Sequence, residues 1–319
     1  MGQHFLLSAK ARTLSLVSVA RMSEEEARSV FQAIRWSDNE GAPYCPKCGC
    51  CDVYGYKARA RWKCQACKLQ FSLTSGTLFA NAKLPMRDYL LAIAIFCNGA
   101  KGHSALQLSR DLDCQYKTAF VLAHKLREAM VADDKATASG EVEIDGAYFG
   151  GYVKPANLKS QRVDRRKAEN QTGKRRVVIV VRERGGRTLT FVTKSEDAAV
   201  PKIRQIVEKG STLYADEAAH WDQLHASYEA KRINHSEAYS KDGACTNMAE
   251  SFFSRLRRME LGTHHHISGA YLDAYATEAN WREDHRRVSN GEQYLMVAAA
   301  TIKHNVSAKW AGYWQRSFA

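Results

Sequence analysis

Nowhere does the sequence string together the roughly 18 to 20 apolar residues that crossing a bilayer requires. Its longest apolar run, LLAIAIF from Leu90, suits a buried helix, so a soluble, cytoplasmic chain is expected. Acidic residues are in deficit: 34 Asp and Glu face 47 Lys and Arg, giving a formal net charge of +13 and an isoelectric point near 9.3. A basic surface attracts polyanions, which puts nucleic acid ahead of other partners; a membrane-surface or ribosome-like role is the competing reading of charge alone. No internal repeat is visible. A clean signal-peptide cleavage site is also missing, and Lys10 and Arg12 interrupt the apolar opening, so residues 1–22 read as a floppy or weakly helical extension, with Met22 available as an alternative start. Nor do the cysteines form an even, dispersed set. There are nine, six of them between Cys45 and Cys67, which favours metal in a reducing cytoplasm over a disulfide framework.

At 319 residues, 45% of them apolar, the chain fits two or three modules with at least one sizeable core. Ser23, followed by three glutamates and then Ala27, Val30, Phe31 and Ile34 at helical spacing, predicts a helix within 23–40. A cysteine-rich module follows at 41–76 and a helical region at 83–133. From Glu141 the character changes to short β-branched runs, EVEID, RVVIVVRE, TLTFVT and TLYAD, with Gly185-Gly186 marking a hairpin. Helical patterns then interleave, predicting a mixed α/β domain over 140–290 and a helical tail over 291–319. Lys154 to Arg176 is rich in Lys and Arg and nearly free of apolar residues, so it is expected to be a flexible loop.

Cys45-x2-Cys48 and Cys64-x2-Cys67 lie fifteen residues apart, the spacing of two knuckles that share one tetrahedral ion. Four sulfurs leave no position for water, so one structural Zn2+ is expected. Cys50 and Cys51 lie close enough to substitute, but the symmetric choice uses neither. Arg59, Arg61, Trp62 and Lys63, between the knuckles, suggest that the ribbon touches nucleic acid. HSALQLSRDLDCQYKTAFVLAHKLREAM has the pattern of a helix-turn-helix: Ala105, Leu106 and Leu108 in a first helix, a turn near Asp111 to Asp113, and Ala119, Leu122 and Leu126 inward on a second. Gln115, Lys117, Thr118 and Lys125 face outward, chemically suited to phosphates and base edges.

In EVEID a period of two sends Val142 and Ile144 to one face and Glu141, Glu143 and Asp145 to the other. STLYAD ends the same way on Asp216, with Leu213 and Ala215 as the alternate set. Either aspartate alone has an ordinary explanation, a turn residue or a helix cap. In TNMAESFFSRLRRM, Asn247 and Glu250 share a helix face, and Asn247 as cap with Glu250 behind it would be a capping-box-like start. Should the two aspartates and the glutamate converge, their hard oxygens would suit two Mg2+ or Mn2+ ions.

Asp145, Asp216 and Glu250, with 33 residues between the last two and Arg255 and Arg258 completing an E-x4-R-x2-R pattern, resemble the acidic triad of DDE transposases on a ribonuclease H-like fold. The N-terminal helix, CPKCG, IDGAYFGG and TNMAESFFSRLRR together resemble the zinc-ribbon transposases of insertion sequences in the insertion-sequence-1595 group, ISXO-like branch, over residues 22 to 290. The resemblance implies that Asp145 lies on the first strand of the catalytic sheet, Asp216 ends the fourth and Glu250 projects from a later helix. It also implies two metal ions across the triad and no covalent intermediate. His235 and Asn247 are auxiliary candidates. Arg255, Arg257 and Arg258 are expected to face DNA phosphates, with a solvated helix face as the alternative, and His264 to His266 to form a polar loop. The implied activity is cleavage at the terminal inverted repeats and joining of 3′-hydroxyls to target DNA, by a dimer or higher assembly on double-stranded DNA in the nucleoid. A regulator that lost its chemistry and a structure-selective nuclease or resolvase are the rivals.

Overall fold

The computed structural model describes residues 4–56, 60–81, 83–131, 136–164, 167–216, 219–233 and 245–315. In chain order its elements are helices α1 (Leu16–Ala20) and α2 (Glu24–Arg35), strands β1 (Val53–Tyr56), β2 (Arg61–Cys64) and β3 (Gln70–Ser72), and helices α3 (Met86–Asn98), α4 (Ala105–Asp111) and α5 (Tyr116–Ala129). Strands β4 (Glu141–Phe149), β5 (Arg176–Glu183) and β6 (Thr188–Thr193) lead to helix α6 (Val200–Ile206), strands β7 (Thr212–Asp216) and β8 (Glu229–Ile233), and helices α7 (Asn247–Met259), α8 (Leu272–Asp284) and α9 (Asn290–Lys303). They make a mixed α/β molecule of two compact units, Met1–Met130 with Arg287–Ala319, and Val131–Arg286. No helix among the described residues is long and apolar enough to cross a membrane.

In the first unit α2 starts on a full capping box: the Ser23 hydroxyl accepts from the Glu26 amide at 3.1 Å, and the Glu26 carboxylate accepts from the Ser23 amide at 2.7 Å. At its other end Arg35 donates to the carbonyls of Ser72, Leu73 and Ser75, and burial lowers its pKa to about 10. Arg35 thus ties α2 to the antiparallel meander β1-β2-β3. Trp62 of β2, half-buried, packs edge-on to Trp36 and stacked on Phe71 in the small ribbon core. Glu24 caps α3, accepting from the Met86 and Arg87 amides at 3.0 and 3.2 Å.

Helices α4 and α5 form the expected pair, joined through Asp113, whose φ of 47° lies in the left-handed region. Leu108, Ala119, Leu122 and Leu126 are buried, but Leu106 is 51% exposed. Two helical residues turn through about 200°, so 106 and 108 cannot share a face. Of the two expectations for the N-terminal extension, floppy or weakly helical, the described residues show the second, with short helical turns and α1, and the segment is held in place. Asn290, at the start of α9, accepts from the Thr13 and Leu14 amides at 2.9 Å each and donates to the Leu14 carbonyl, and Val19 of α1 is fully buried.

The second unit is built on a five-stranded sheet, order β6-β5-β4-β7-β8. β4 pairs antiparallel with β5, and β5 with β6, whereas β4–β7 and β7–β8 are parallel. The hairpin at Gly185 uses φ of 79°, where a side chain would be strained. β8 is the strand the sequence pattern concealed: EAKRI carries charge at an edge, where polar residues discourage further pairing. Alternation divides the core as expected. Val142, Ile144, Leu213 and Ala215 pack with α6 on one face, and Ala147, Phe149, Val178 and Val180 pack with α7 and α8 on the other. The described part of the basic segment Lys154 to Arg176 is irregular except for short 3-10 turns at Lys159–Gln161 and Ala168–Asn170.

Candidate metal centres

The ribbon brings its four predicted cysteines together. The sulfurs of Cys45, Cys48, Cys64 and Cys67 all lie within 4.8 Å of one another, with Cys45 Sγ to Cys67 Sγ at 3.5 Å and Cys48 Sγ to Cys64 Sγ at 3.6 Å. Each knuckle closes on a left-handed residue, Gly49 at φ 70° and Lys68 at φ 60°. The Cys67 amide donates to Cys64 Sγ at 3.4 Å, and this bond leads the effects that bring the Cys64 thiol down to about 6. A thiolate is the form that binds metal, and a closed four-sulfur set suits a structural Zn2+. The Cys50 and Cys51 sulfurs turn to the Asp52 and Gly49 carbonyls instead.

In the sheet, β4 and β7 are paired from Glu141–Thr212 to Glu143–Tyr214, and the same register continued two positions brings Asp145 beside Asp216. Neighbouring strands lie about 4.8 Å apart. Both aspartates fall on the face packed by α7, whose first turn carries Glu250. Burial pushes the Asp145 carboxyl up to about 7; the Gly146 amide, donating at 2.7 Å, opposes this, while the negative charges of Asp216, Glu196 and Glu250 add to it. The carboxylates gather less tightly than the thiols: among the described residues the four cysteines are the group whose ligand atoms all fall within 4.8 Å. Like charges crowded around a half-buried carboxylate nevertheless suit a hard divalent cation, which would offset their repulsion.

Glu196 was not foreseen. It follows β6 and approaches so closely that a Cβ on Gly146 would meet its side chain, which would have to shift. Glu196 pairs with His220 at 3.4 Å, and burial raises its pKa. Beyond the end of β4 lies a cleft of about 520 Å³ whose walls include Tyr148, Gly151, Tyr152 and Arg175; the Arg175 guanidinium stands 4.0 Å over the Tyr148 ring.

The other candidates are placed unevenly. His235 and Arg59 lie outside the described residues. Asn247 is the first residue of α7 and exposed; Thr246, not Asn247, holds the cap position. Arg257 and Arg258 are exposed, whereas Arg255 pairs at 2.5 Å with the buried Glu283, which also binds Arg182 at 3.1 Å. Lys117 is exposed, with its Nζ 5.3 Å over the Trp314 ring; Lys125 is half-buried, and burial lowers its pKa. His264 falls in a π-helical turn after α7, edge-on to Tyr275, rather than in an open loop.

The high Asp145 pKa has a measurable consequence. Without metal, the folded protein keeps this proton up to about pH 7, whereas an unfolded aspartate releases it near its ordinary value of 3.8. The folded state therefore binds more protons in that window, and this contribution to stability is lost as pH rises through it. Thermal unfolding of zinc-loaded, Mg2+-free protein across pH 4 to 8 checks this: Asp145→Asn should flatten the decline.

A four-thiolate ribbon with its helices, and a mixed sheet beside which Asp145 feels the charges of Asp216, Glu196 and Glu250, define a modular protein with one cluster of metal-ligating cysteines among the described residues. Residues 137–284 match the ISXO2-like transposase domain, and residues 22–70 match the transposase zinc-ribbon domain. A protein of Halobacterium salinarum, described as an uncharacterized protein in transposable element ISH50, is 25% identical over 268 residues, covering 80% of this chain and 88% of its own length. No solved structure matches. The chain thus carries an ISXO2-like transposase domain and, ahead of it, a transposase zinc ribbon.

Proposed function

We propose that this protein binds the terminal inverted repeats of an insertion sequence through its ribbon (41–76) and helical pair (83–133), cleaves at the element ends and joins the 3′-hydroxyls to target DNA. Residues 140–290 form a ribonuclease H-like catalytic domain on this reading; three antiparallel strands followed by two parallel ones, with Asp145 on the first strand and Asp216 ending the fourth, support it. The observation that carries the proposal is that Asp145, in the middle of β4, feels the charges of both Asp216, at the end of the neighbouring β7, and Glu250.

These three carboxylates would hold two Mg2+ or Mn2+ ions, which when bound supply charge neutralisation at the phosphodiester and a more acidic water or hydroxyl. The exposed Arg257 and Arg258, one helical face along from Glu250, would take backbone phosphates; Arg255, held by Glu283, would stiffen that helix against α8. Asn247 would be an auxiliary polar group of the centre; His235 is assigned the same role from its sequence position alone. Lys117 and Lys125 of α5 would bind the element end. Two ends must be held together, so a homodimer or larger assembly on double-stranded DNA is proposed, working in the cytoplasm at the nucleoid.

Purified protein with Mg2+ and a labelled element end should give nicked and then strand-transfer products. Cut but never joined DNA would favour a nuclease or resolvase, and binding without cutting a regulator. Lys117→Ala should weaken end binding and lower the slope of log affinity against log salt by about one, as expected for one lost phosphate contact. Titrations at several salt concentrations measure it, and an unchanged slope removes Lys117 from the interface.

A further inference from the structure

Glu143, 1% exposed, is a buried carboxylate two residues before Asp145 on the same face of β4. One of its oxygens accepts from the Met248 amide at 2.8 Å and the Ala249 amide at 3.1 Å. These are first-turn donors of α7 that have no partner within the helix, and Thr246 at the cap position does not cap them with its side chain. The other oxygen accepts from Arg184 Nε at 3.0 Å, and the Cys245 thiol approaches it at 3.8 Å. Arg184 is itself fixed, donating to the Cys245 carbonyl at 3.0 Å and lying 3.7 Å over the Tyr214 ring.

One side chain therefore fastens the strand of Asp145 to the helix of Glu250. β4 is already bound to the strand of Asp216 by the parallel ladder, which fixes two of the three proposed ligands against each other. The third, Glu250, is exposed on a helix that the ladder does not reach. Two amide bonds to one carboxylate fix both the depth and the rotation of the first turn of α7, and so the direction in which Glu250 projects.

We infer that Glu143 is a positioning residue for the proposed metal centre, setting Glu250 against Asp145 and Asp216 without touching metal or DNA. This rests on the reading of the triad given above. A cap that merely stabilises α7 would lower the unfolding temperature and leave metal affinity unchanged. A positioning group moves metal affinity in protein that is still folded.

The test uses full-length, zinc-loaded protein. Glu143→Gln keeps an acceptor for the amides but turns an NH2 toward Arg184, while Glu143→Asp keeps the charge and draws the oxygens back by one methylene. Mn2+ binding is followed by electron paramagnetic resonance, and the Mg2+ concentration for half-maximal nicking is measured beside it, with circular dichroism reporting the fold. We expect Mn2+ affinity in Glu143→Gln to fall about 10- to 100-fold, as when groups that orient metal ligands are removed. The half-maximal Mg2+ concentration should rise in parallel and excess Mg2+ restore nicking, with Glu143→Asp intermediate. Wild-type Mn2+ affinity and Mg2+ dependence in both variants, with only the unfolding temperature lowered, would overturn the inference. Asp145→Asn is the control: if it binds Mn2+ as wild type does, the triad reading itself fails, separately from the role of Glu143.

Discussion

Asp145→Asn should silence cleavage and joining together while leaving end binding intact. The substitution keeps size and shape but replaces an anionic oxygen with an amide that binds hard cations poorly. Charge stabilisation at a phosphodiester is worth several kcal/mol, and each 1.36 kcal/mol is tenfold in rate, so a fall on the order of a thousandfold or more is expected. Asp145 should be the most sensitive of the three, since it lies on the central strand and carries the charge of Asp216, Glu196 and Glu250 around it. Nicking assays with matched mobility shifts decide it. Cleavage that persists in Asp145→Asn would show that the chemistry lies elsewhere.

Cys64→Ser should have a comparably large effect by a different route, removing end binding rather than chemistry. The ribbon's own core is small, little more than Trp36, Trp62 and Phe71, too little to hold three short strands alone. Structural zinc supplies about 10 to 16 kcal/mol of apparent binding free energy in small zinc peptides, and losing one of four thiolates forfeits much of it. Zinc content should drop, mobility shifts with the element end should vanish, and Mn2+ binding by the second unit should survive. Normal end binding by zinc-free Cys64→Ser would rule out the ribbon as part of the DNA-binding surface.

Much of this was legible in the sequence because it follows from local rules. The CxxC pairs, the helix start at Ser23 and the alternation that separates Val142 and Ile144 from Glu143 and Asp145 each need only a few residues to specify them. What was missed depends on contacts between residues far apart in the chain. Glu196 sits in an unremarkable acidic stretch, SED, and only the close approach of Gly146 brings it to the carboxylates. Arg255 has the same composition signal as Arg257 and Arg258, yet a partner 28 positions later, Glu283, claims it. β8 was hidden because an edge strand has no need of an apolar pattern, and the hold on the N-terminal extension because its anchor, Asn290, lies 277 residues away from Thr13.

That last anchor bears on how the polypeptide is made. The first unit is completed by α9, so residues 131–286 are an insertion within it, continuous in sequence and in a position to fold before the first unit is complete. Residues 13–130 must wait for Asn290 and the helix it begins. At about 5 to 20 residues per second the delay is on the order of ten seconds or more, during which the faces of α2, α3 and α5 that receive α9 are uncovered. The inserted unit is therefore born finished inside an unfinished host, and nascent chains halted before residue 290 should be the ones that chaperones hold longest.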